Sequence, residues 1–299
     1  MNKLITTIII LLCFTQSEAQ YAYFGTRGKI AFDKVTYTKA RMKSMSQQMD
    51  PAMAMRFGGG GGFNMDNMPE STTQKLVLYF DENSTVLTVD PAAEGNTGQQ
   101  GNFPRGNTGG GAGGGRITVT GGRAGGGGNM GAMAGMNMQR GRMNNNSKVF
   151  YQDLKKGTSN VQLEIDEKYI ISDTLNNITW RFTDEYRDIA GFECRRVNGS
   201  TPDSLYLVAF YTDQIPVSAG PALSSGLPGM IMGLAIPEMH IQYWATKVDY
   251  TNDTSPTDWK DKKASAITFD EFIKSFGRIF QRGRDSSTAR RQIQEQLIY

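Results

Sequence analysis

Twenty-four of the 35 glycines fall in two stretches, five at positions 58–62 and nineteen between Gly95 and Gly141. Chain so rich in glycine, diluted further by Asn, Gln and Ser, buries too little apolar surface to offset the entropy of ordering it. Segments 42–73 and 91–146 are therefore expected to be disordered Gly/Met-rich insertions. Subtracting the glycine stretches leaves roughly 190 residues, enough for one domain with a sizeable core.

That remainder reads as strands. Lys29 to Lys39 is a first candidate, with Ile30, Phe32, Val35 and Tyr37 as its apolar positions. Lys75–Phe80 and Thr85–Val89 flank Asp81-Glu-Asn-Ser84, whose turn-forming residues make the pair a hairpin. A short β-like island sits at Arg116–Thr120. Beyond Ser147, strand-like runs appear at 148–152, 161–165, 168–173, 177–183, 192–197, 205–212, 230–236 and 239–248. Such close spacing, broken by Gly, Asn, Asp and Pro, predicts an antiparallel sheet or partial barrel. Strand–helix alternation is missing, which argues against a parallel α/β sheet. From Thr268 the period changes. Thr268 and Glu271 form a Thr-x-x-Glu capping box, and Phe269, Phe272, Ile273, Phe276, Ile279 and Phe280 follow helical spacing. The fold expected is mainly β, with a C-terminal amphipathic helix and the two insertions. One β-rich domain would run over 20–282, followed by a polar, basic tail at 283–299 that can be helical. The basic residues from Lys274 to Arg291 read as a solvated face or as a contact with an anionic envelope surface.

The first residues carry an address. Asn2 and Lys3 precede an apolar run from Leu4 to Phe14, and Ser17 and Ala19 stand at the −3 and −1 positions of a cleavage site. Residues 1–19 are read as a secretory signal peptide, with a mature start at Gln20. At about 11 residues the apolar run is too short to span a bilayer, and no later segment approaches the required length. Cys13 follows Leu12, where a lipoprotein site needs a small residue, so it is assigned to the discarded signal. An exported chain with a net charge of +3 gives no ground for nucleic-acid binding. Cys194 would be the only cysteine of the mature chain, hence without an intramolecular disulfide, as a buried hydrophobe or a reactive thiol.

One stretch stands apart from the strand pattern: Ile215, Pro216, Val217, Gly220 and Pro221, then Gly226, Leu227, Pro228, Gly229, Met230 and Ile231. Gly-Pro and Pro-Gly pairs force tight turns, and the prolines remove ladder donors. Two readings of the segment are open: a rigid corner fixing the sheet's closure, or a loop that docks a partner. The closing hexapeptide resembles the signature of the GLPGLI family of Bacteroidota envelope proteins, with Met230 where the family name has leucine. Ile189–Arg196, preceded by Trp180, and Leu205–Thr212 running into the motif fit the same pattern. The resemblance implies a secreted, β-rich protein with no assigned activity that keeps company with outer-membrane transport systems. It brings no catalytic residues.

No chemistry-bearing constellation emerges from the residues themselves. His240 is the single histidine, placed by alternation on one strand face with Gln242 and Trp244. Asp166-Glu167 and Asp184-Glu185 fall at apparent turns, where charge is ordinary. No serine elbow, H-E-x-x-H or phosphate-binding loop is present. Catalysis is therefore not expected. The methionines are the sharper feature: Met42, Met45, Met49, Met53, Met55, Met65 and Met68 in the first insertion, Met130, Met133, Met136, Met138 and Met143 in the second. Soft thioethers on flexible polar chain can converge on Cu(I) or Ag(I). The same residues can instead serve adaptable protein contacts or have no specific role, and Met42, Met45, Met49 and Met53 also fit one helix face. The expected function is an exported envelope binding or accessory protein, periplasmic or outer-membrane associated, whose partner is an envelope protein such as an outer-membrane transporter. The alternative is soft-metal sequestration by the methionines.

Overall fold

A computed structural model describes residues 25–47, 68–94, 148–165, 167–175, 177–251, 256, 258–280, 293 and 297–299. Residues 1–19, the island at 116–120 and most of both insertions lie outside these. Twelve strands follow the chain: β1 Gly28–Thr36, β2 Thr72–Phe80, β3 Ser84–Val89, β4 Val149–Asp153, β5 Thr158–Glu164, β6 Lys168–Thr174, β7 Thr179–Ile189, β8 Phe192–Ser200, β9 Tyr206–Thr212, β10 Met230–Ile236, β11 Ile241–Tyr250 and β12 Ser265–Thr268. The helices are α1 Thr38–Gln47, α2 Pro91–Glu94 and α3 Phe269–Phe280. No described helix is long and apolar enough to cross a membrane.

All twelve strands form one open sheet in the order β12-β6-β5-β4-β3-β2-β1-β11-β10-β9-β8-β7. Neighbours are antiparallel except β12, which runs parallel to β6 from Ser265 opposite Tyr169 to Thr268 opposite Ser172. The β2–β3 hairpin turns where expected: Asp81 accepts from the main-chain N–H groups of Asn83 and Ser84, both at 2.8 Å. Alternation sends Ile30 and Phe32, Leu76, Leu78 and Phe80, Leu87, Phe150, and Val161 and Leu163 to one face, all of them buried. On that face they join Val197, Leu207 and Ala209 from the other half of the sheet in a single core. A sheet of this many strands curls as its twist accumulates.

The capping box forms as read. The Glu271 carboxylate accepts from the Thr268 N–H at 2.8 Å, and the Glu271 N–H donates to the Thr268 hydroxyl at 3.2 Å. Phe272 is fully buried, and Phe276 meets the Tyr169 ring edge-on at 5.4 Å, so α3 packs on the sheet through its apolar stripe. Three strand readings need correction. The run expected at 177–183 continues to Ile189, because Asp184 and Glu185 are not a turn but part of a bulge between Phe182 and Tyr186. The run expected from 239 starts at Ile241, and His240 instead closes a 3-10 turn at Pro237–Met239 with φ of 55°. In β1 the inward positions are Ile30, Phe32 and Lys34, not Val35 and Tyr37.

Candidate functional site

The connection between β9 and β10, residues 213–229, lies inside the curl. Ile215, Val217 and Ala219 are buried while Pro216 and Ser218 between them are exposed, the alternation of a strand without a ladder. Prolines at 216, 221 and 228 cannot donate, so the loop satisfies its backbone locally. Val217 N donates to Ile215 O and Ala219 N to Val217 O, both two-residue turns. The loop then folds back on the strand it precedes: Met230 N donates to Ile215 O at 3.0 Å and Ile231 N to Ala219 O at 2.8 Å. Gly229 is required by that approach, since a Cβ there would lie 2.0 Å from the Thr212 carbonyl oxygen. Ala222 and Leu223 adopt the left-handed conformation at φ of 54° and 58°, which costs on the order of 1–3 kcal/mol each for non-glycine residues. Ser224 relieves the turn, donating through both its N–H and its hydroxyl to Pro221 O.

Two contacts give the loop its role. Gln152 on β4 donates to Ser224 O at 3.4 Å, and the indole N–H of Trp180 on β7 donates to Ser225 O at 2.9 Å. Seven strands separate β4 from β7 in the sheet. Laid flat, that path is eight strand spacings of about 4.8 Å, roughly 38 Å. Two consecutive residues reach both strands, so the sheet is rolled around the loop. The loop bridges the strands that the ladder does not join. Most of the motif takes part in this packing: Ile215, Val217, Leu227, Met230 and Ile231 are buried, Pro216 and Pro228 are exposed, and a Cβ built on Gly226, at φ of 89°, would lie 3.4 Å from the indole nitrogen. Thr85 extends the polar seam, its hydroxyl donating to Gln152 Oε1 at 2.8 Å.

A second cluster lies at the other end of the interior. Lys34 on β1 and Lys148, just before β4, are both buried. Burial, followed by the charge of Arg41, pushes Lys34 down to about 8. Burial, followed by the charges of Lys34 and Arg41, pushes Lys148 down to about 7. The Lys34 ammonium donates to the main-chain oxygen of Tyr299 and lies 5.5 Å over the Tyr243 ring. Sequence reading missed this pair, although strict alternation from Ile30 and Phe32 lands on Lys34.

The remaining candidates are scattered. Met42, half-buried, and Met45 stand on α1, and Met68 precedes β2. Met49, Met53, Met55, Met65, Met130, Met133, Met136, Met138 and Met143 lie outside the described residues. Asp184 and Glu185 are engaged by Arg195 at 3.1 Å and by Arg196 at 2.6 Å across the β7 bulge. Cys194 is fully buried, and desolvation pushes its thiol up to about 12, so it is unreactive at neutral pH.

Residues 168–233 match the family described as "Protein of unknown function (Porph_ging)". That family is associated with Bacteroidota. The match runs from β6 into β10 and contains the whole loop, yet covers well under half of the chain. No curated protein matches. Among solved structures, PNGF-II in its P21 crystal form is similar at a TM-score of 0.45 and 11% identity, over 85% of this chain and 34% of that one. The C2 form gives 0.42 and 12%, over 81% and 30%. The chain thus spans about a third of the length of these structures, and a likeness at this level carries no functional argument.

Proposed function

We propose that this is an exported cell-envelope protein that binds a partner rather than transforming a substrate, a GLPGLI-type accessory protein of the periplasm or outer membrane acting beside a transport system. The observation that carries the reading is an aromatic–arginine surface at the β7 side of the sheet. Phe182 and Tyr186 are 48% and 57% exposed. The Arg195 guanidinium lies 5.5 Å and 5.9 Å from their rings, and Phe182 meets Tyr211 edge-on at 6.0 Å. On the other face Arg187 lies 5.3 Å from both the Phe210 and Trp244 rings. Aromatic and arginine side chains held rigid at a surface are the groups that anchor protein–protein interfaces. The signal-like residues 1–19 support the address, and the hexapeptide supports the kinship.

The test is site-specific photo-crosslinking from position 182 in envelope preparations, alongside a Phe182→Ala/Tyr186→Ala variant. Crosslinking to one outer-membrane protein, with co-purification lost in the variant, supports the reading. Co-purification that is unchanged by the double substitution refutes this surface as the binding site.

A second reading, soft-metal sequestration, is favoured by one observation. Met42 and Met45 fall at a spacing of three in the helix sequence Thr38–Gln47. A Cu(I) competition titration of the chain against a variant with the twelve insertion methionines changed to leucine decides it. Stoichiometric binding that disappears in the variant supports the metal, and equal, negligible binding by both removes it.

A further inference from the structure

The β7–β8 hairpin carries opposite charge on its two faces. Residues directly opposite one another in an antiparallel ladder share a face. Arg181 stands opposite Asn198 and Arg187 opposite Cys194, while Asn198 and Arg196 stand opposite Val208 and Phe210 on β9. One face of the hairpin therefore shows Arg181, Arg196 and Arg187, and it continues into Phe210 and, past Gly233, Trp244. The other face shows Asp188 opposite Glu193, beside Tyr186 and Arg195. Arg196 is paired with Glu185 and Arg195 with Asp184. Arg181 and Arg187 are exposed and make no ion pair among the described residues, and the same holds for Asp188 and Glu193. The first face thus keeps two guanidinium groups with no carboxylate against them, and the second keeps two carboxylates with no cation.

Arg187 is the better prepared of the two. Its guanidinium lies 5.3 Å from both the Phe210 and the Trp244 rings, and the Trp244 indole is itself anchored, its N–H donating to Gln242 Oε1 at 3.0 Å. A guanidinium resting on rings keeps its charge and its planar fork for a partner, and that fork matches a carboxylate. The rows of Arg181 and Arg187 are set four β8 residues apart, Asn198 to Cys194, about 13 Å at 3.3 Å per residue. An extended chain presents side chains i and i+4 on one side at the same spacing, with i+2 between them over the Arg196–Phe210 row. We propose that this face of β7–β9 docks an extended acidic segment of a partner protein, with carboxylates at i and i+4 meeting Arg187 and Arg181 and an apolar side chain at i+2 against Phe210. The proposal rests on the reading of the chain as a partner-binding protein and names the chemistry of what it takes. Asp188 and Glu193 repel such a segment from the opposite face, so charge alone selects the side on which it docks.

The test is a titration of the isotope-labelled full chain with the capped pentapeptide acetyl-Glu-Thr-Val-Thr-Glu-amide, followed by the indole N–H signal of Trp244 in nuclear magnetic resonance spectra. The matching peptide with glutamine in place of both glutamates is run beside it, as are the variants Arg187→Lys and Arg181→Ala. Arg187→Lys keeps the charge and loses the fork, so it separates carboxylate recognition from general attraction. The expected result is a saturable movement of the Trp244 signal with the glutamate peptide and none with the glutamine peptide. Each variant should weaken the binding about fivefold or more. A Trp244 signal that stays still with the glutamate peptide, or that moves equally with the glutamine peptide or in Arg187→Lys, overturns the proposal. Attachment of the chain to vesicles of phosphatidylcholine and phosphatidylglycerol that is lost in Arg187→Lys also overturns it, because the face would then belong to a lipid surface. Photo-crosslinking from position 182 reads the opposite face, so a partner captured there while the peptide fails to bind keeps the partner-binding reading and sinks this one.

Discussion

The two ends of the interior are built on opposite rules. At the loop end the polar groups are neutral, and each named donor meets a main-chain or side-chain oxygen: Gln152 on Ser224, Trp180 on Ser225, Thr85 on Gln152. At the cation end two lysines are buried, and burial, followed by neighbouring positive charge, lowers their proton affinity. Neutral satisfied groups hold a structure rigid, whereas a buried charge lowers its stability. The comparison teaches that the motif stretch serves the fold, while the buried lysines cost it stability. Substitutions at the two ends should therefore differ in sign.

The largest effect is expected at Gly229. Gly229→Ala drives a methyl group into the Thr212 carbonyl, which is backbone and cannot step aside. A loss of about 3 kcal/mol or more in urea unfolding is the expected outcome; a loss under 1 kcal/mol would mean that the loop is free to shift. Leu227→Ala, at a side chain only 2% exposed, should cost about 3 kcal/mol by leaving a cavity, again read by urea unfolding. Trp180→Phe removes the N–H that reaches Ser225 and trims the outer ring edge that packs over Gly199. An unpaired, partly buried carbonyl makes the expected cost about 1 kcal/mol.

The cation end should behave the other way. Burial lowers Lys148 from 10.5 to about 7, so between those values the folded chain binds fewer protons than the unfolded one. Stability linked to this group therefore rises as pH increases from about 7 towards 10.5, and the penalty is fully present below 7. Lys148→Met should stabilise the protein by about 1–2 kcal/mol at pH 7. Its advantage should shrink as the pH approaches 10, as followed by urea midpoints across that range. An advantage that stays constant with pH would mean that Lys148 is not the titrating group.

Much of the sheet was legible because a strand's alternation is local. Ile30 and Phe32, the Asp81–Ser84 turn and the Thr268–Glu271 box each announce their structure within a few residues. What was not legible depends on distant partners. β12 is four residues of ordinary composition, and only its pairing with β6, far back in the chain, makes it a strand. Asp184 and Glu185 look like a turn because charged residues usually mark one, but Arg195 and Arg196 on β8 hold them in a bulged strand. The motif was legible as a rigid corner or a docking loop, and sequence could not choose between them. That choice rests on the contacts of Gln152 and Trp180 with the loop, which join residues far apart in the chain. Lys34 was missed because a lysine in a strand is normally assigned to solvent.

The central claim is that residues 215–231 are part of the core and close the sheet between β4 and β7. Native-state hydrogen exchange tests it most directly, on the N–H groups of Val217, Ala219, Met230 and Ile231, whose bonds are internal to the loop or join it to β10. The expected result is exchange as slow as that of the central strands β1 and β11, occurring only when the whole protein unfolds. Rapid exchange of Val217 and Ala219 while β1 and β11 stay protected would show a loop that opens by itself, as a partner-docking loop would, and would contradict the account.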